Sequence, residues 1–169
     1  NYYGVPYTYS TAGFQTGLGV LLKNYWNTEF EYFLREDKFQ SEENQENFNN
    51  DNSQMISGIR ILAQLDLLDD ILLPKDGIFI KGEYENSKTL LGSSLNYQYY
   101  QLWGKIYKTF RLNTYGISGY FKQSTNQTPP YMTTIFEGSQ VFAGMEEFQI
   151  HGSSLAFVRI DYRYKHKKD

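Results

Sequence analysis

Leu65–Asn86 reads LDLLDDILLPKDGIFIKGEYEN. Both halves alternate between unlike faces, around a turn that carries Pro74 and Asp76-Gly77. Before the turn, Ile59, Ile61, Ala63, Leu65 and Leu67 fall on one face, with Arg60, Gln64 and Asp66 among the residues between them. After it, Ile78, Ile80, Gly82 and Tyr84 share a face, while Lys81, Glu83 and Glu85 share the other with Phe79. Alternation with period two is a strand signal. A soluble sheet produces it with apolar side chains turned in and polar ones turned out. A membrane barrel produces it inverted, apolar toward lipid and polar toward a wet lumen. The choice between the two decides the function.

The pattern recurs along the chain. Phe14, Thr16, Leu18, Val20 and Leu22 share one side of a Gly-rich strand over 13–23, and Asn24-Tyr25 leaves room for a tight turn. Trp26, Thr28, Phe30, Tyr32 and Leu34 then alternate with Asn27, Glu29, Glu31, Phe33 and Arg35. Two Glu on one strand face are costly in a dry core and cheap in a watery lumen or at an aqueous surface. The polar stretch SEENQENFNNDNS predicts a long loop over 36–54, and a strand resumes over 55–66. Residues 78–86 and 91–101 read as a hairpin across Ser87-Lys88-Thr89. Leu102-Trp103-Gly104 reads as a short turn, 105–119 as the next strand, and 121–151 as a second long connection with Pro129-Pro130 early in it. The last strand, 154–164, puts Ala156, Val158, Ile160, Tyr162 and Tyr164 on one face and Arg159, Asp161 and Arg163 on the other. An all-β, antiparallel architecture of about eight strands follows.

These expected connections alternate in length along the chain. Outer-membrane barrels sort their connections this way, with short periplasmic turns and longer external loops. Strands of about ten residues are also long enough to cross a bilayer with tilt. Composition leaves a membrane open. With 169 residues, a single domain over 1–169 is expected. No apolar run approaches the roughly 20 residues of a spanning helix, which says nothing against strands that expose alternate residues. Sixteen Tyr and twelve Phe suit a headgroup interface, because Tyr joins an apolar ring to a polar tip. A Tyr-rich soluble β-sandwich would also use them. A net charge of −3, without basic residues clustered among aromatics, points away from nucleic acid. The absence of Cys excludes disulfides and thiolate metal sites. Asn1-Tyr2-Tyr3-Gly4 lacks a basic start and an apolar core, so a mature chain or an excised part of a longer one is expected.

Three segments resemble the bacterial surface-antigen superfamily of outer-membrane barrels. LDLLDDILLPKDGIFIKGEYENS resembles its LD-x-x-x-x-P-x-x-G strand–turn–strand, at Leu68, Asp69, Pro74 and Gly77, with a residue or so of offset at the LD pair. FEGSQVFAGMEEFQIHGSSLAFVRIDYRYK resembles the long inward-folded loop and the strand after it, matched at Gly138, Gly144, Gly152 and Asp161-Tyr162-Arg163. GVPYTYSTAGFQTGLGVLL resembles the strands that open the barrel of patatin-like phospholipase autotransporters, a branch of the superfamily. In assembly and secretion members the loop tip is of Arg-Gly-Phe type. Here Phe142-Ala143-Gly144-Met145 stands in its place, without the Arg, which fits the phospholipase-linked branch better. The superfamily barrel has sixteen strands, four of them after the loop-following strand. This chain ends at Asp169, so it resembles half of such a barrel, or a small or dimeric one.

The resemblance implies a barrel in the bacterial cell outer membrane that anchors an N-terminal patatin-like passenger and helps deliver it. A protein-translocation or assembly pore is the alternative within the superfamily. Outer-membrane lipid, the barrel assembly machinery and a second copy of the chain are the implied partners. No catalysis and no cofactor is expected. Gly116-Ile117-Ser118-Gly119 is one residue short of a G-x-S-x-G elbow and lies inside an expected strand. His151 reads as a loop residue, and His166 belongs to the basic end Lys165-His166-Lys167-Lys168. The candidate site is therefore structural. Arg159, Asp161 and Arg163 point the same way and are expected to hold Glu146, Glu147 or Gln149 of a lumen-folded loop, with Asp69, Pro74 and Gly77 shaping the turn.

Overall fold

A computed structural model describes residues 7–41, 52–125, 127–129, 134–135 and 151–165. Seven long strands form one antiparallel sheet. In chain order they are β1 (Tyr7–Leu22), β2 (Trp26–Ser41), β3 (Asn52–Asp66), β4 (Gly77–Ser87), β5 (Tyr97–Phe110), β6 (Asn113–Ser124) and, after a short ribbon of β7 (Thr134–Ile135) and β8 (His151–Gly152), β9 (Ser154–Tyr164). The spatial order is β1-β2-β3-β4-β5-β6-β9, so every long strand lies beside its neighbour in sequence. The all-β antiparallel architecture is the one expected, as a partial barrel whose sheet is open at β1 and β9.

Burial separates the two faces and settles the inversion. Asp37, Ser87 and Glu85 are 0–2% exposed, whereas Leu18 is 84%, Ile160 77% and Val158 70% exposed. The polar positions of the alternating strands are thus the shielded ones, and the apolar positions the open ones. Phe14, Leu18 and Val20 of β1, Ile78 and Ile80 of β4, Ile106 of β5, Ile117 of β6 and Val158 and Ile160 of β9 all lie on the open face. The sheet curls around its polar side. β2 and β5 are separated by two strands, about 14 Å in a flat sheet, yet the Arg35 guanidinium of β2 donates to the Tyr97 hydroxyl of β5 at 2.8 Å. A small apolar cluster of Phe33, Ile56, Tyr97 and Tyr99 sits on the same inner side.

Several connections differ from their expected positions. The loop expected over 36–54 is shorter, because Glu36–Ser41 extends β2 and Asn52–Gln54 extends β3, both in register. Polar residues continue a strand here because the inner face is itself polar: Asp37 is buried and accepts from Thr11 of β1 at 2.8 Å. The expected turn at Leu102-Trp103-Gly104 is uninterrupted β5, with Gly104 paired between Ile80 and Gly119. The turn falls instead at 111–112, where Arg111 takes φ 57, a conformation its side chain does not advertise. The connection after β4 spans 88–96, with a single 3-10 turn at Thr89–Leu91, closed where the Ser87 hydroxyl meets Ser93 Oγ at 2.7 Å and the Leu95 carbonyl at 3.0 Å. Of the connection expected over 121–151, Phe121–Ser124 belongs to β6, and Thr134 and Ile135 pair with Gly152 and His151.

Connections alternate between the two ends but do not all sort by length as expected, because 67–76 is as long as 42–51 and longer than 88–96. The turns at 23–25, 67–76 and 111–112 lie at one end of the strands, and the connections 42–51, 88–96 and 125–153 at the other. Six antiparallel pairings separate β1 from β9, so both edges run from the loop end to the turn end. Joining β9 directly to β1 would make a parallel pair.

The open face sets a test. Ile160→Arg in mid-β9 should cost about 2–4 kcal/mol of folding free energy in a bilayer, the range for a cation near the midplane of a barrel's lipid face. Gln64→Lys on the inner face, between Asn27 and Lys81 in register, should stay within about 0.5 kcal/mol of wild type. Denaturant titration of the protein in lipid vesicles measures both, and equal costs would contradict the face assignment.

Candidate functional site

The inner face is built from alternate residues brought into register. Glu31 of β2 stands opposite Arg60 of β3, which stands opposite Glu85 of β4. Arg60 lies 2.9 Å from Glu31 and 3.9 Å from Glu83, and donates to Gln15 of β1 at 2.9 Å. One guanidinium therefore touches both neighbouring strands and the one beyond. Arg35 works similarly one level nearer the loops. It lies 3.5 Å from Asp37 and 3.3 Å from Glu85, and the Tyr97 hydroxyl donates to Glu85. Together the two arginines link β1 to β5. Gly17 leaves room for this crowding: a Cβ there would stand 2.5 Å from the Phe30 carbonyl and 2.8 Å from Glu31 Cγ.

Toward β9 the inner face is richer in aromatics and cations. Phe79 and Trp103 meet edge to face at 5.3 Å, and Tyr120 stacks on Phe157 at 5.4 Å. The Lys105 ammonium lies 4.0 Å from the Trp103 ring centre and Lys122 5.3 Å from that of Tyr99. Ser118 sits within β6, buried, with Lys105 and Arg159 as its register partners.

Only some of the expected site residues come together. Arg159 and Asp161 are side by side on the inner face, with Arg159 Nε 3.1 Å from the carboxylate, and the Tyr107 hydroxyl donates to Asp161 at 3.3 Å. Arg163 lies over the Tyr107 ring at 5.2 Å and donates to the Pro74 carbonyl. Gly152 is in β8, opposite Thr134. Gly138, Gly144, Glu146, Glu147 and Gln149 lie outside the described residues, so the expected loop contact falls there as well.

Arg163 thus joins two motifs that are distant in sequence, the Asp-Tyr-Arg triplet and the Asp69–Gly77 turn. Thr109 of β5 reinforces the join by donating to the Lys75 carbonyl at 2.8 Å, and Lys108 pairs with Asp76 at 2.7 Å. Within the turn, Asp69 accepts from the backbone N–H of Lys75 at 2.8 Å and of Asp76 at 3.1 Å, and Asp70 from those of Leu72 and Leu73 at 2.8 and 2.9 Å. Gly77 has φ 122, and a Cβ there would fall onto the Leu67 carbonyl oxygen, so the glycine is required. Backbone N–H donors, from Asp76 and Lys75 for Asp69 and from Leu73 and Leu72 for Asp70, hold both carboxyls below the usual range. The residues missed by sequence reasoning are Arg35, Arg60 and Tyr97. The legible signal was charge of opposite sign on the same face of adjacent strands, which needs the register to become a contact.

A sheet that shields its charges and opens its aliphatic face to the surroundings is the wall of a transmembrane β-barrel, and the soluble sandwich reading fails on it. Residues 4–164 match the family described as the Omp85 superfamily domain, and the chain belongs to that family. It is an outer-membrane β-barrel protein of the translocation and assembly superfamily, whose members occupy bacterial or organellar outer membranes. No curated protein matches the chain.

Two outcomes follow. Arg35→Met removes the cation from between the buried carboxylates of Asp37 and Glu85 and should destabilise the barrel by about 3–5 kcal/mol; adding Glu85→Gln should restore part of the loss. Unfolding midpoints in vesicles measure this, and a neutral Arg35→Met would contradict the ladder. Because the folded Asp69 pKa is depressed, its contribution is complete above the ordinary aspartate value of about 3.9 and is lost as pH falls through the lower folded value. The Lys75 and Asp76 amide shifts should therefore titrate with a midpoint below that value; a midpoint at or above it would contradict the turn's hydrogen bonding.

Proposed function

We propose that this chain forms part of the wall of a bacterial outer-membrane barrel that moves or inserts polypeptides and performs no catalysis of its own. The observation that carries this reading is the inner face. From β1 to β9 it presents arginines, lysines, carboxylates and tyrosines, and a polar inner face supports a barrel whose interior takes up polypeptide rather than lipid. Membership in a superfamily of translocation and assembly barrels supports the same reading. Its partners are then outer-membrane lipid and the barrel assembly machinery.

Anchoring of an N-terminal patatin-like passenger is the second reading. It rests on the resemblance of GVPYTYSTAGFQTGLGVLL to the opening strands of that branch and on the Arg-free Phe142-Ala143-Gly144-Met145. Strand direction weighs on it. The chain enters β1 from the loop end, so a passenger on the turn side would need an odd number of strands between itself and β1. Direction weighs on a homodimer too. Two copies with the same membrane orientation would place β9 of one parallel to β1 of the other, whereas antiparallel closure takes an odd number of further strands. We favour the latter, because it continues the pairing that every long strand already uses.

Depletion of the protein separates the two roles. A translocation or assembly barrel should, on depletion, strand unrelated polypeptides in the periplasm, as read by quantitative proteomics of outer membrane, periplasm and medium. Loss of one linked passenger, with all other proteins in place, would overturn the translocation reading in favour of anchoring.

A further inference from the structure

We propose that the turn-side rim built by the β5–β6 turn and the end of β9 binds the headgroups of anionic phospholipids, with Arg111 and Lys165 as its cations. The inference rests on the open face lying in the bilayer.

The first observation is backbone. Arg111 is the first of two residues joining β5 to β6, and its φ is 57. Glycine, Asn and Asp are favoured at positive φ in two-residue hairpin turns. An Arg there is not explained by the turn, and it is exposed at the end of the strands. The second observation is placement. The Lys165 N–H donates to the Leu112 carbonyl at 2.8 Å, which holds Lys165 beside the same turn. Both residues are exposed, and among the described residues neither takes part in an ion pair, whereas Lys108 on the same rim is held by Asp76.

The third observation is what lies beneath. Phe110, Tyr115, Tyr162 and Tyr164 are exposed on the open face at this end. Tyr115 is 6.4 Å from Phe110 and 5.4 Å from Tyr162, ring centre to ring centre, and the Tyr162 hydroxyl donates to Asn113 at 2.8 Å. Ile106, Ile117 and Ile160 continue the face inward. Aromatic belts mark the headgroup level of a membrane protein. Two cations just past such a belt stand at the level of the lipid phosphates. Arg offers a phosphate a planar pair of donors, and each cation at an anionic surface is worth a factor of about five in binding.

The test uses the intact protein in mixed vesicles, with Tyr164→Trp as the sole tryptophan, a rim reporter in a Trp26→Phe/Trp103→Phe background. Quenching by brominated phosphatidylglycerol is compared with quenching by brominated phosphatidylcholine. A several-fold preference for phosphatidylglycerol is expected. It should vanish in Arg111→Asn/Lys165→Gln and fall partway in Lys165→Gln alone. Asn accepts positive φ, so the turn survives the substitution, and heat-modifiable gel mobility checks the fold. Equal quenching by both lipids in the wild type, or a preference that survives the double substitution, would overturn the proposal. So would loss of the preference to millimolar inorganic phosphate, which would mark a site for free anions. Quenching by neither lipid would instead overturn the placement of the open face in the membrane.

Discussion

Hydrocarbon offers no partner to a backbone N–H or C=O, so a strand enters a membrane only when its neighbours satisfy it. This constraint orders the rest of the molecule. It requires long strands paired to adjacent strands without gaps, and six uninterrupted antiparallel ladders meet it. It moves the irregular backbone to the two ends, where water can reach it. It also leaves the outer edges of β1 and β9 needing partners, and the common direction of those edges fixes the parity of whatever completes the barrel.

Once the backbone is satisfied by pairing, side chains decide which way the sheet curls. Aliphatic residues lose nothing by facing lipid, so the polar ones gather inside, where charge must be balanced locally. Arg60 and Arg35 provide that balance between strands, each reaching carboxylates on more than one strand. Replacing such pairs with apolar residues often costs little stability in a soluble protein, while breaking them costs a good deal. In this wall they also neutralise carboxylates that the curled sheet shields. At the turn end the same logic holds with backbone acceptors: Arg163 reaches the Pro74 carbonyl and ties the last strand of the sheet to the turn between β3 and β4.

The strands themselves were legible because alternation survives in each of them; Phe30 against Glu31, or Ile160 against Asp161, reads correctly without any structure. Their ends were less legible. Sequence rules place turns at Gly and polar clusters, so Gly104 read as a turn and Asp37 as loop. Gly104 is a paired residue in mid-strand, and Asp37 is a buried partner of Thr11 and Arg35. The real turn used Arg111, which no turn rule selects. Of the site, the Arg159–Asp161 neighbours could be read from spacing alone, because side chains two apart on a strand share a face. Contacts such as Arg35 with Tyr97, or Arg163 with Pro74, depend on curvature and on loop placement, and period-two patterning carries neither.

The aliphatic face meets lipid and the charged face lies away from it. Nitroxide scanning of β9 in lipid vesicles tests it most directly, one label at a time over 154–164, with oxygen as the lipid-soluble relaxant and a nickel chelate as the water-soluble one. Oxygen accessibility should peak at Ala156, Val158, Ile160 and Tyr162, with the nickel chelate reaching the residues between them. Oxygen peaks at Phe157, Arg159 and Asp161, or a profile without period two, would contradict it.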